Sequence, residues 1–171
     1  MDKGDVLDDV LCCGLTIVFC GTAAGDDSAA RKAYYAGPGN LFWQTLYEIR
    51  LTERLLAPEE FTSLNQYRIG LTDLAKKTSG LDDSLTMKDF DVDRFRSRIA
   101  STKPKLIAFN GKKAASVVFE RPTHSIRYGL QEQSFGGCRA FVLPSTSGSG
   151  RRYWDKIHWF ELARIAEELG G

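Results

Sequence analysis

Cysteine, histidine, aspartate and paired basic side chains are the groups in this chain that could ligate a metal, activate water or hold an anion. The cysteines are Cys12, Cys13, Cys20 and Cys138: two adjacent, one in an apolar run, one after a pair of glycines. A zinc or iron–sulfur site needs spaced thiol pairs that can converge on one ion, and this spacing offers none, so no metal and no cofactor is expected. The expected state of the cysteines is reduced and buried or half-buried. His124 follows Arg121–Pro122–Thr123 in a loop where no partner can be named, and His158 falls on an apolar stripe, so both read as structural. The pairs Lys76–Lys77, Lys112–Lys113 and Arg151–Arg152 are ordinarily solvated, although such pairs can also clamp phosphates. A different pattern stands out at Gly21–Thr22–Ala23–Ala24–Gly25–Asp26–Asp27–Ser28. Glycines at both ends of such a run let backbone N–H groups come close to a ligand, and two carboxylates lie just beyond.

The elements around these residues alternate. Leu15–Thr16–Ile17–Val18–Phe19–Cys20 is short, β-rich and unalternating, as a strand covered on both faces would be. The glycine-framed run after it reads as a flexible loop. A helix is predicted from Pro38, with Phe42, Trp43, Leu46 and Ile49 along one side, and another short helix from Pro58. Residues 78–88 read as a polar surface loop, followed by a helix around Val92, Phe95 and Ile99. Leu106–Ile107–Ala108–Phe109 is a second strand candidate; Asn110–Gly111 turns it into a helix carrying Val117, Val118 and Phe119. Arg139–Ala140–Phe141–Val142–Leu143 is a third strand, stopped by Pro144. Trp154, His158, Leu162, Ile165 and Leu169 mark a final helix. Strands alternating with helices imply an α/β fold, a three-layer α/β/α sandwich around a central, mostly parallel sheet. Ligands in such sheets bind beyond the carboxyl ends of the strands, which directs attention to the segments after Cys20 and after Leu143.

With 171 residues, 43% of them hydrophobic, the chain can bury one substantial core, so residues 1–171 are expected to form one domain. A formal net charge of +1 excludes the strongly basic class of general nucleic-acid binders and leaves room only for a local basic face. The acidic start MDKGDVLDDV lacks a signal-peptide core and no run is long enough to span a bilayer. A cytoplasmic protein with no membrane partner is expected, and the size and charge suggest a monomer.

A family resemblance rests on segments in collinear order. Val18–Phe19–Cys20–Gly21–Thr22–Ala23–Ala24–Gly25 resembles the first motif, V-F-C-G-I-N-P-G, of the mismatch-specific uracil/thymine-DNA glycosylases within the uracil-DNA glycosylase superfamily. Tyr35–Ala36–Gly37–Pro38–Gly39–Asn40–Leu41–Phe42–Trp43 is similar to that family's aromatic-A-x-P-x-N-x-F-W segment. Tyr67–Arg68–Ile69–Gly70–Leu71–Thr72–Asp73–Leu74 resembles its Y-R-x-G-x-T-x-L stretch, and Gly111–Lys112 its strand-end G-K. Val142–Leu143–Pro144–Ser145–Thr146–Ser147–Gly148 is similar to the second motif, V-L-P-N-P-S-G. Each segment alone is weak; together and in register they span nearly the whole chain.

The resemblance implies a monofunctional DNA glycosylase that flips uracil from DNA and hydrolyses the N-glycosidic bond, leaving an abasic site for base excision repair. It implies that Gly21, Thr22, Ala23, Gly25, Ser28, Tyr35, Asn40 and Ser145 surround the base, with Tyr35 stacked on it and Ser28 crowding the 5-methyl of thymine. The partner would be DNA containing uracil or another deaminated base. DNA contacts would fall to Ser147, Gly148, Ser149, Arg151 and Arg152, with Lys112 and Lys77 on flanking phosphates. Ser149 occupies the place of the family's apolar wedge, and Arg151 is the nearest side chain able to stack in its stead. The sequence departs from the family at Ala23, where the family carries the asparagine that positions water, and at Ser145, which replaces a second asparagine. A methyl group neither donates nor accepts a hydrogen bond. Asp73, at a position where the family has a variable polar side chain on the pocket wall, is the first candidate for the missing role; Asp27 and Asp26 follow. The alternatives for Asp73 are a loop or a helix cap. Weak catalysis without a base, uracil binding without cleavage, and action on another base such as hypoxanthine all stay open.

Overall fold

The computed structural model describes residues 3–170. Five strands form one sheet in the order β2-β1-β3-β5-β4, with β1 at Ile17–Ala23, β2 at Ile69–Ala75, β3 at Leu106–Asn110, β4 at Gly129–Phe135 and β5 at Cys138–Leu143. β1, β2, β3 and β5 run parallel and β4 pairs antiparallel with β5. Alternation along the strands feeds two cores. Ile17, Phe19, Leu106 and Ala108 pack on one face with Phe42, Leu46, Trp159 and Leu162. Val18, Cys20, Ile107 and Phe109 pack on the other with Phe95, Ile99 and Val118. Covering both faces is what makes the strand sequences continuously apolar. Helices α2 (Phe42–Glu48) and α5 (Ile157–Gly170) belong to the first layer, α3 (Val92–Thr102) and α4 (Lys112–Phe119) to the second. The expected sandwich is the observed architecture.

Several local expectations are corrected. Gly21, Thr22 and Ala23 are not a flexible loop: they continue β1, with Gly21 opposite Asp73 and Ala23 opposite Ala75 on β2. Asp26 and Asp27 open a short helix, α1 (Asp26–Arg31), where two acids in the first turn complement the helix dipole. The helix predicted from Pro38 begins only at Phe42, whose N–H is held by Asn40 Oδ1 at 3.0 Å. The final helix begins at Ile157, its N–H bonded to Asp155 Oδ1 at 3.0 Å, so Trp154 precedes it. Cys12 and Cys13 are exposed, whereas Cys20 and Cys138 are buried as expected. Lys76 is not solvated at all, being 4% exposed.

Two strands have no counterpart in the pattern reading. β2 carries Gly70 and Asp73, both poor strand formers, yet all of its residues are buried. Its outer edge is covered by the N-terminal segment, where Val10 and Leu71 exchange backbone hydrogen bonds of 2.9 and 3.0 Å. Gly70 is required there: a Cβ would stand 2.5 Å from Val10 O. β4 is a polar edge strand, joined to β5 through Gly136–Gly137, both at positive φ. No helix among the described residues is long and apolar enough to cross a membrane.

Candidate active site

Because four strands are parallel, their carboxyl ends open at one edge of the sheet, where a cleft of about 880 Å³ lies. Its floor is the end of β1, Gly21–Ala23, with Asp73 of β2 beside it. One wall is the Tyr35–Asn40 segment; facing it is the segment after β5, Ser145–Gly150. The two turns that the sequence pointed to therefore meet.

The walls are fastened together. Asn110, at the end of β3, donates from Nδ2 to Thr146 Oγ1 at 3.0 Å and accepts from Thr146 N–H at 3.1 Å. Thr146 O accepts from Leu41 N–H at 3.0 Å, which ties the segment before α2 to the segment after β5. Ser145 sits between Gly111 and Gly150, where added Cβ atoms would lie 3.4 and 3.1 Å from its own Cβ. Hydroxyls then run along the loop, Ser145 to Ser147 at 3.1 Å and Ser147 to Ser149 at 3.0 Å.

Tyr35 has φ +54°, uncommon for a residue with a Cβ and a mark of local strain. Its ring stacks on Phe42 with centroids 4.0 Å apart, and the residue lines the cleft. The Tyr35 hydroxyl is buried and, among the described residues, has no hydrogen-bond partner. Burial, and after it the negative charge of Asp73, pushes its pKa well above the usual tyrosine value, while the Asn110 side chain pulls it back. A Cβ on Gly21 would stand 2.7 Å from Asp73 Oδ1 and 3.5 Å from Tyr35 Oη. The phenol would tolerate that Cβ, but the Asp73 carboxylate would have to move.

Asp73 is neither a loop nor a cap residue. It is an interior strand residue, 6% exposed, on the cleft floor. Burial raises its pKa to about 6; Lys76 pulls it down, Asp9 pushes it up, and the Gly21 N–H pulls it down. A carboxyl poised near neutrality in a cleft is what general base chemistry requires.

The other expected residues divide cleanly. Thr22, Ala23, Gly25, Ser28, Asn40, Asp26 and Asp27 line the cleft, as do Lys112, Ser147, Gly148 and Ser149. Asp26 accepts from Ser79 Oγ at 3.0 Å and Thr22 donates to Asp82 at 2.6 Å, so these two side chains fasten a loop. Ser28 Oγ accepts from the Ala36 N–H at 3.0 Å. Arg151 and Arg152 lie outside the lining: Arg151 donates to Gly39 O at 2.6 Å, and Arg152 packs on the Tyr153 ring. Lys77 is also outside it, paired with Asp5 at 3.2 Å.

Asn110, Tyr128, Tyr153, His124 and the Gly80–Asp83 segment also line the cleft, and none of them was among the expected site residues. Asn110 was within reach of the strand-end rule, since it is the last residue of β3. The 80–83 segment arrives through contacts distant in sequence, among them Gly80 N–H to Ala24 O at 2.9 Å, and no local signal announces it. Lys112 holds its ammonium 4.5 Å from the centre of the Tyr128 ring.

A family model for the uracil DNA glycosylase superfamily matches residues 9–168. The chain belongs to the uracil DNA glycosylase superfamily. Among solved structures it resembles the solution NMR structure of a Methanosarcina acetivorans protein named provisionally as a uracil DNA glycosylase. The TM-score is 0.68 at 25% identity, over 99% of this chain and 98% of that one. The cleft lies beyond the carboxyl ends of the parallel strands, where sheets of this kind generally meet ligands.

Proposed function

We propose that the protein is a uracil-DNA glycosylase, monofunctional and related to the mismatch-specific branch, which everts uracil into this cleft and hydrolyses its glycosidic bond. The reading rests above all on Asp73, a buried carboxyl on the floor of a cleft in a superfamily member whose first-motif asparagine position is Ala23. In this mechanism the base enters between the Tyr35 ring and the Ser145–Ser147 segment. Backbone N–H groups at the Gly21–Ala23 end oppose charge developing on the departing uracil. Asp73, ionised at neutral pH, holds the attacking water and balances positive charge on the sugar. Ser147, Gly148 and Ser149 approach the stack vacated by the base, and Arg151, Arg152 and Lys112 meet phosphates. Lys112 and Lys113 also line the cleft, but Lys112 holds its ammonium over the Tyr128 ring, and a carboxylate as the water-activating group supports a monofunctional reaction without a Schiff base.

Ala23 favours a second reading, a protein that binds uracil in DNA without cleaving it. The breadth of the cleft favours a variant of the first, in which hypoxanthine is released. Purified protein incubated with oligonucleotides carrying uracil, thymine or hypoxanthine separates these. Alkali-labile abasic sites from the uracil strand, with no product trapped by borohydride, support the main reading. A gel shift without product gives the binder, and product from the hypoxanthine strand alone gives the purine enzyme.

A further inference from the structure

Behind Asp73 lies a buried charge pair that the mechanism above does not use. Lys76 follows β2 directly, and its Nζ sits 2.7 Å from Asp9 Oδ1 with the two side chains 3% and 1% exposed. Lys76 Nζ also donates to the Tyr34 hydroxyl at 3.2 Å, and Tyr34 in turn donates to Asp8 O at 3.0 Å and lines the cleft. Asp9 accepts from Thr72 Oγ1 at 2.7 Å and pairs with Arg98 at 3.2 Å. Thr72 precedes Asp73 on β2, so the anion of the pair is tied to the strand that carries the cleft carboxyl, and Lys76, directly after that strand, reaches the cleft lining through Tyr34.

Taking an ammonium out of water is costly, and an apolar pair of similar volume would often stabilise a fold as well. Stability alone therefore gives no reason for the pair. Its position gives one. We propose that Lys76 is a positioning residue for Asp73: a cation fixed out of water behind the cleft floor, locked by Asp9 and Tyr34, that keeps Asp73 anionic. The proposal rests on the assignment of Asp73 to the reaction. At Asp73 the attraction of Lys76 outweighs the repulsion of Asp9, and only burial acts more strongly. Among the described residues, Cys20 on β1 and Tyr34 and Tyr35 before α2 respond to Asp73 and have pKa values pushed upward, so they are neutral. The charged or titratable groups besides the pair are Arg98, bound to Asp9, and Asp26, Asp27, Asp82, Asp83, Lys112, Lys113 and His124 of the cleft lining.

The test compares the wild type with K76M and with K76M/D9N. Asp73 is titrated directly by carboxyl carbon NMR, and the pH dependence of single-turnover uracil release is measured beside it. Removing the cation moves the Asp73 midpoint upward by about one unit. Removing both charges moves it upward by less, because the repulsion of Asp9 goes too. The expected order of midpoints is wild type, then the double variant, then the single variant, with the acid limb of the rate following it. K76M/D9N contains no lone buried charge of the pair, so it supplies the comparison even if K76M does not fold. Midpoints unchanged across the series, or a double variant above the single one, overturn the proposal. Absence of uracil release by the wild type, with the NMR order intact, overturns the functional reading and leaves the electrostatic coupling standing.

Discussion

At the scale of single residues, the cleft floor is a competition for one small volume. Gly21, Asp73 and Tyr35 meet there, and the missing Cβ of Gly21 is what admits the carboxylate. G21A should displace the Asp73 side chain while leaving the strand pairing intact. The expected outcome is uracil release reduced at least about tenfold, more than the loss of thermal stability explains, read from single-turnover rates beside a melting curve. D73N keeps the shape and removes the charge. It should lower the rate by about 10²–10⁴-fold with DNA affinity little changed. Wild-type activity should fall as pH drops through about 6, because the folded-state pKa of Asp73 is raised to that value and protonation removes the base. A rate independent of pH between 5 and 7 (roughly one unit either side of that midpoint) would remove Asp73 from the chemistry.

Among elements, β2 shows how context overrides propensity. Its sequence IGLTDLA contains two residues that weaken strands, and it becomes one because β1 pairs it on one side and the Val10 segment caps the other. Gly70 is the point where that cap touches, with Val10 O 2.5 Å and Leu15 Cδ1 2.6 Å from where a Cβ would stand. G70A should therefore lower stability by about 1–3 kcal/mol through overpacking, seen as a reduced melting temperature, whereas G4A, in open space, should not. A melting temperature unchanged by G70A would mean that the N-terminal segment is not packed on β2. The apolar runs of β1, β3 and β5 were legible because burial on both faces demands continuous hydrophobicity. β4 was not, since an exposed edge strand with Gln131, Glu132 and Gln133 carries no such pattern; its one local sign was Gly136–Gly137.

Over the whole molecule, acidic residues of the N-terminal segment anchor it to the second helical layer. Asp5 accepts from Arg94 at 2.6 and 3.0 Å and pairs with Lys77 at 3.2 Å. The Arg94 hydrogen bond is the main force holding its pKa down to about 2. A carboxyl whose folded-state pKa is depressed contributes stability above its unfolded pKa and loses it as pH falls towards the folded value. The contribution, about 1 kcal/mol once solvent screening is allowed for, should thus be present above pH of about 4 and be lost as pH falls through about 2. D5N should lower the neutral-pH melting temperature and flatten the acid side of the stability profile over that window. An identical acid profile in D5N and wild type would rule the pair out as a source of stability.

The sequence by itself determined the class of fold and the address of the cleft. Periodicity and apolar runs are local consequences of burial, and parallel strands place ligands beyond their carboxyl ends whatever the side chains are. It also put Tyr35, Asp73 and the two turns on one candidate list. Which aspartate sits on the floor, which fastens a loop, and why Lys76 is dry while Lys77 is not, only the tertiary structure decided. Those properties depend on neighbours dozens of residues away, such as Asp9 for Lys76 and Ser79 for Asp26. A side chain's charge state is set by the water and charges around it, and no local pattern encodes those.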